Sequence, residues 1–171
     1  RVLFRSLPRA FYYLQFGSFA PFPTPTPTQV THPLLGTIWL VATAVISGYR
    51  ERLFFLPQFS AWIVTAIATC GVAEALLPSE RKGSRRAWLA AAFALLPCVS
   101  LLESSTEKND LLVSAYAACA CYFSLSKARF AALLSVSSFA LALAVKATAL
   151  PILPVWLDRK STRLNSSHLG I

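Results

Sequence analysis

Four long apolar stretches constrain the fold of this chain more than any other feature. Residues 56–77, 87–102, 111–125 and 130–145 contain a single charged residue, Glu74. The whole chain is 56% hydrophobic and 13% charged, whereas a soluble domain carries about a quarter charged residues. Because a membrane crossing needs roughly 20 mainly apolar residues, we predict an all-α fold, built as a polytopic transmembrane helical bundle.

The two ends of the chain read as sequence unrelated to a protein fold. Residues 158–168 (DRKSTRLNSSH) match the translation of a common sequencing-library adapter, and residues 1–6 (RVLFRS) match its reverse complement. We therefore expect residues 1–6 and 158–171 to be adapter-derived, and the biological segment to cover about residues 7–157, open at both ends. Without these ends the net charge falls from +9 to +5, since they hold five of the 16 basic and one of the seven acidic residues. The remaining positive charge is spread over short loops, so no nucleic-acid partner is expected.

The charged loops predict an orientation in the membrane. Short loops rich in Lys and Arg stay in the cytoplasm, which places residues 81–86 and 127–129 inside and residues 103–110 outside. The apolar segment 34–47 is too short to cross the membrane, so we predict that it forms an interfacial helix. Residues 7–33, rich in Pro and Thr, predict an extended outer loop. The chain then divides into an outer loop with an interfacial helix (7–55) and the transmembrane helices (56–157).

This orientation brings acids and bases together at the outer face. Ionisable residues at a membrane helix end are costly to bury, so they suggest a functional site. Each also has a simpler interpretation: Lys146 can extend its ammonium to the interface, Asp110 can cap the helix that follows it, and His32 can be an ordinary loop residue. The predicted group consists of Arg9, His32, Glu107, Asp110 and Lys146.

Such a group suits sugar transfer from a polyprenyl-phosphate carrier to a hydroxyl. The acceptor hydroxyl needs a general base, commonly a carboxylate. The leaving lipid phosphate needs positive charge or a metal ion. Lys146, at the headgroup level, could supply that charge. The four cysteines (Cys70, Cys98, Cys119 and Cys121) lie in apolar stretches, where we expect neither a disulfide nor a metal site.

Four segments resemble bacterial membrane glycosyltransferases of the GT-C fold, related to protein O-mannosyltransferases and lipid A aminoarabinose transferases. They are LPRAFYYLQFGSFAPFPT (7–24), THPLLG (31–36), SSTEKNDLL (104–112) and ALAVKATALPILP (142–154). The resemblance implies an inverting, polyprenyl-phosphate-sugar-dependent transferase in the bacterial inner membrane, with its active face periplasmic and membrane lipid around it.

The resemblance also implies roles for individual residues. Asp110 and Glu107 would be catalytic, and Arg9, His32, Asn109 and Lys146 would bind substrate. No cofactor is certain, although a divalent metal ion suits the reaction. The family's first acidic motif would lie before residue 7, so this fragment alone is expected to be inactive. Two other classes stay open: a transporter or flippase for a lipid-linked or small solute, and a non-catalytic membrane scaffold.

Overall fold

The computed structural model describes residues 6–25, 31, 33–77, 85–105, 109–154 and 156–158, and in this part of the chain all regular structure is helical. Among the described residues, the elements with defined bounds are two 3-10 helices, Glu51–Leu53 and Ala147–Ile152, and seven α-helices. In chain order the α-helices are α1 (Ser6–Phe16), α2 (Leu35–Ile46), α3 (Leu56–Leu76), α4 (Arg85–Leu95), α5 (Cys98–Ser104), α6 (Asp110–Leu125) and α7 (Ala131–Val145). The predicted all-α class is therefore confirmed.

Helix α3 is the longest element and the centre of the packing. Its 21 residues begin with Pro57 in the first turn, where the missing N–H of proline costs no hydrogen bond. At 1.5 Å per residue it is about 31 Å long, close to the roughly 30 Å of a bilayer core. Among the described residues it is the one helix long and apolar enough to cross a membrane. One such helix is weak support for a span, but only 22% of its most apolar window is buried within the chain.

Small residues allow the other helices to approach α3 closely. Helices α4 and α6 both pack on α3, and α7 packs on α6. Ala87, Ala120 and Ala142 are fully buried at these contacts. Close backbone approach through small side chains is typical of helix packing in membranes, where lipid removes the hydrophobic drive for association. Helices α2, α6 and α7 are also apolar, at 12, 16 and 15 residues.

The stretch predicted as one helix over residues 87–102 is divided in the structure. Helix α4 ends at Leu95 and α5 begins at Cys98. Pro97 lies between them with φ −53° and ψ 126°. Proline has no backbone N–H and disfavours helical backbone in the residue before it, so a helix stops here. The two pieces have 11 and 7 residues, and neither alone is long enough to cross a bilayer.

The outer loop predicted over residues 7–33 is also partly wrong, because it opens with helix α1. This helix packs against α2: Ala10 of α1 forms a buried cluster with Leu40, Ala44 and Phe54. It ends at Gly17, whose φ of 59° is the left-handed conformation that commonly stops helices. Residues 21–25 have no regular structure, as predicted, and residues 26–30 lie outside the described chain.

Candidate functional site

The end of α7 and the start of α6 meet through an ion pair. Lys146, which follows the last residue of α7, donates from Nζ to Oδ1 of Asp110 at 2.5 Å. The two side chains keep 43% and 39% of their surface exposed. The two residues predicted as base and phosphate ligand are therefore in contact and both are accessible from outside the protein.

Asn109 packs against the first turn of α2. A Cβ built on Gly36 would lie 2.8 Å from Asn109 Oδ1 and closer still to the amide nitrogen and carbon, so only glycine leaves room for this side chain. Asn109, and not the predicted Asp110, is the N-cap of α6, and its side chain makes no capping hydrogen bond. Asn109 has φ −104° and ψ 5°, and Asp110 after it is the first helical residue. Its negative charge there is favoured by the helix dipole.

Arg9 joins α1 to the same turn of α2. Its Nε donates to Thr37 Oγ1 at 2.8 Å, and its Nη2 donates to Thr37 Oγ1 and to the Pro33 carbonyl, the latter at 3.0 Å. Arg9 is 3% exposed and Thr37 is fully buried. Burial lowers the pKa of the Arg9 guanidinium, while Tyr13 nearby acts in the opposite direction. In this structure the Arg9 side chain connects α1 to α2. Its predicted role as a substrate ligand would require these contacts to change.

The other two predicted site residues, His32 and Glu107, lie outside the described residues. The described members are linked through one turn of α2, because Gly36 contacts Asn109 and the adjacent Thr37 accepts from Arg9. Asn109 is in turn followed by Asp110, which binds Lys146. Arg9, Asn109, Asp110 and Lys146 thus belong to one end of the helix assembly.

Two buried donors beside this end were missed by the sequence interpretation. Gln58 on α3 is 1% exposed, and its Oε1 accepts from the backbone N–H of Leu112 at 3.2 Å. Its Nε2 and the Nε1 of Trp62, one turn further along α3, are buried without a hydrogen-bond partner. The signal was present in the sequence: an amide inside an apolar stretch requires a partner, and that partner is the first turn of α6.

An apolar groove of about 540 Å³ lies between α2, α3, α6 and α7. Leu112, two residues after Asp110, lines it together with Trp39, Phe59 and Tyr116. The Trp39 indole N–H donates to the Tyr116 hydroxyl at 3.1 Å and thereby ties α2 to α6. The volume is typical of small-molecule sites, and its lining suits a hydrocarbon chain.

No set of three metal-binding side chains occurs within the described ranges. Cys70 and Cys119 are not joined in disulfides. Comparison with protein-family models, with curated proteins and with solved structures gives no match to this chain.

Proposed function

We propose that this chain is part of a membrane glycosyltransferase that moves a sugar from a polyprenyl-phosphate carrier to an acceptor hydroxyl. The observation that carries the proposal is the contact between Asp110 and Lys146, a carboxylate and an ammonium that are both about two-fifths exposed. An exposed pair of opposite charge stabilises a fold little. Leu112, two residues after Asp110, lines an apolar groove, so a chemical role accounts for the pair better than a structural one.

Each charge has a part in the proposed reaction. Asp110 accepts the proton of the acceptor hydroxyl while the oxygen of that hydroxyl attacks the anomeric carbon. The bond between that carbon and the phosphate oxygen breaks, and the lipid phosphate leaves with the electron pair. Attack from the opposite face inverts the anomeric configuration. Lys146 stabilises the departing phosphate as a point charge.

The ion pair also suggests an order of events. In the free protein Lys146 neutralises Asp110. A bound lipid phosphate competes for the ammonium, so its arrival frees the carboxylate to act as a base. The apolar groove beside Leu112 would hold the hydrocarbon chain of the carrier. A divalent ion would supply further charge to the phosphate, but the described residues offer no ligand set for it, and no step here depends on one.

The membrane setting belongs to the same proposal. Helix α3 crosses the bilayer, and α6 and α7 complete a polytopic bundle in a bacterial inner membrane. The basic loops lie in the cytoplasm, and Asp110 and Lys146 lie at the periplasmic face. Support comes from the length of α3 and from the apolar surfaces of α6 and α7.

The test is sugar transfer by the complete enzyme, extended at both ends of residues 7–157. Asp110→Asn is expected to lower transfer about 10²–10⁴-fold, as for loss of a general base. Lys146→Gln is expected to lower it about 10²-fold or more through loss of phosphate stabilisation. Glu51→Gln, another carboxylate of the outer region, is the matched control. Normal transfer by a properly inserted Asp110→Asn variant would refute the proposal.

A transporter or flippase is the second candidate, favoured by the helix break at Pro97. Helices interrupted within the membrane often form transport sites, and α4 and α5 are separated in this way. This function predicts movement of a lipid-linked sugar across vesicles that contain the protein, without transfer to an acceptor. Measuring both activities on the same preparation separates the two candidates.

A further inference from the structure

A second groove runs along the C-terminal half of α3, from Val64 to Glu74. It has a volume of about 610 Å³, with α3 as its floor and α4 and α6 as its walls. The tyrosine ring of Tyr122 lies directly over Gly71, where a Cβ would come within 2.6 Å of the ring. The ring therefore packs on α3 at a position that has no side chain.

The lining of this groove is apolar along most of its length. Ile67, Trp88, Leu95 and Phe123 contribute to it. Ile67 and Trp88 remain 66% and 67% exposed, so the protein leaves much of this surface uncovered. Exposed apolar surface of this kind marks a site for a hydrophobic ligand or for lipid.

One end of the groove is charged with both signs. Glu74, in the last turn of α3, is half-buried and is the one acidic or basic side chain among the described lining residues. Arg85 and Arg86 begin α4 and are exposed. Helices joined by a short connection are antiparallel neighbours, so the end of α3 and the start of α4 lie at the same end of the groove. Arg85 lies about one turn before the lining residue Trp88 on α4 and Arg86 follows Arg85, while Glu74 itself lines the groove.

We propose that this groove binds an aminophospholipid, with one acyl chain along the apolar part and the headgroup at the charged end. The phosphate is held by Arg85 and Arg86, which suit phosphate oxygens. The primary ammonium of the headgroup donates to the Glu74 carboxylate. A ligand with one apolar and one zwitterionic end matches this distribution of charge.

The proposal rests on the membrane placement given above and is independent of sugar transfer. The probe is phosphatidylethanolamine. The two competitors are phosphatidylglycerol, which has no amine, and phosphatidylcholine, whose amine has no N–H. The experiment is native mass spectrometry of the 171-residue chain in detergent with equal amounts of the three lipids. The wild-type protein is expected to bind phosphatidylethanolamine about two- to five-fold better than either competitor, as for one accessible ion pair.

Two variants test the assigned contacts. Glu74→Gln is expected to abolish the preference for phosphatidylethanolamine, while Glu51→Gln, a carboxylate that precedes α3 in the sequence, leaves it unchanged. Replacing both Arg85 and Arg86 by Gln is expected to weaken binding of all three phospholipids. Equal binding of the three lipids by the wild-type chain overturns the proposal without any variant, as does a preference that survives Glu74→Gln. Detection of a dimer without bound lipid would assign the groove to a second copy instead. Because no acceptor sugar is involved, failure here leaves the transfer assay of Asp110 unaffected.

Discussion

Lys146 Nζ lies 2.5 Å from Asp110 Oδ1, although 36 positions of sequence separate the two residues. The contact closes α6 and α7 at one end, where the apolar surfaces of both helices stop. Both side chains remain accessible to solvent, which limits how much the ion pair can stabilise the fold.

Asp110→Asn and Lys146→Gln are expected to change the free energy of unfolding by less than about 1 kcal/mol each. Water and salt screen an exposed pair, and fixing two side chains costs entropy. Thermal unfolding in detergent micelles at low and high salt measures this. The change in unfolding free energy of the double mutant is expected to equal the sum of the two single changes within about 0.5 kcal/mol. A loss of several kcal/mol from either variant would mean that the pair is structural and would weaken the argument for catalysis.

Thr37→Val is expected to destabilise the protein by about 1.5–3 kcal/mol, the range for hydrogen bonds to a charged group. The substitution keeps the volume of the side chain and removes the oxygen that accepts from Arg9. Thr43→Val is the matched control on the same helix, because the Thr43 hydroxyl only donates to the Trp39 carbonyl within α2. Its effect should stay within about 0.5 kcal/mol. Equal losses from the two variants would show that Arg9 contributes nothing through Thr37.

Trp156, which is buried, and Trp62, whose indole nitrogen is buried, provide a second matched pair. Trp156 Nε1 donates to Ser135 Oγ at 2.8 Å, and Ser135 in turn donates to the Ala120 carbonyl. Trp62 Nε1 has no such partner. Trp156→Phe should therefore cost about 1–3 kcal/mol more than Trp62→Phe, because only the first change breaks a buried hydrogen bond. Unfolding of both variants in the same detergent measures the difference. Similar values for the two variants would indicate that Trp62 does find a partner in solution.

Gly71→Ala is expected to destabilise the packing of α3 on α6 by about 1–3 kcal/mol, the usual cost of overpacking. The new methyl group would meet the Tyr122 ring, and this outweighs the roughly 1 kcal/mol that Ala gains over Gly in a helix. The measurement is a double-mutant cycle with Tyr122→Leu. In the leucine background Gly71→Ala should become neutral or stabilising, since the ring that it strikes is gone. The same loss in both backgrounds would contradict the assigned contact.

The sequence predicts helices well wherever apolar residues run without interruption. The stretches 56–77, 111–125 and 130–145 correspond to α3, α6 and α7 within a few residues. It failed at Pro97, where the apolar run continues but the backbone cannot remain helical. It also failed at α1, because prolines further along the segment suggested a loop. The helix forms there because Ala10 and its neighbours pack against α2. This is a tertiary contact, which the local sequence pattern does not reveal.

The candidate site was predictable in part for the same reason. Loop charges and alternation of the helices suggest that Asp110 and Lys146 share one face, and in the structure the two residues touch. Nothing in the sequence spacing relates Arg9 to Thr37, because that contact depends on how α1 lies across α2. The unpartnered donors of Gln58 and Trp62 likewise depend on the register between α3 and α6.

The hydrogen bond between Gln58 and Leu112 has a consequence for synthesis of the chain. The two residues are 54 positions apart, and a ribosome adds roughly 5–20 residues per second. Helix α3 therefore leaves the ribosome about three to ten seconds before its main partner exists. During that interval its apolar surface and the Gln58 amide lack the contacts that α6 later provides. Delayed translation between α3 and α6 would lengthen the time in which the nascent chain can aggregate.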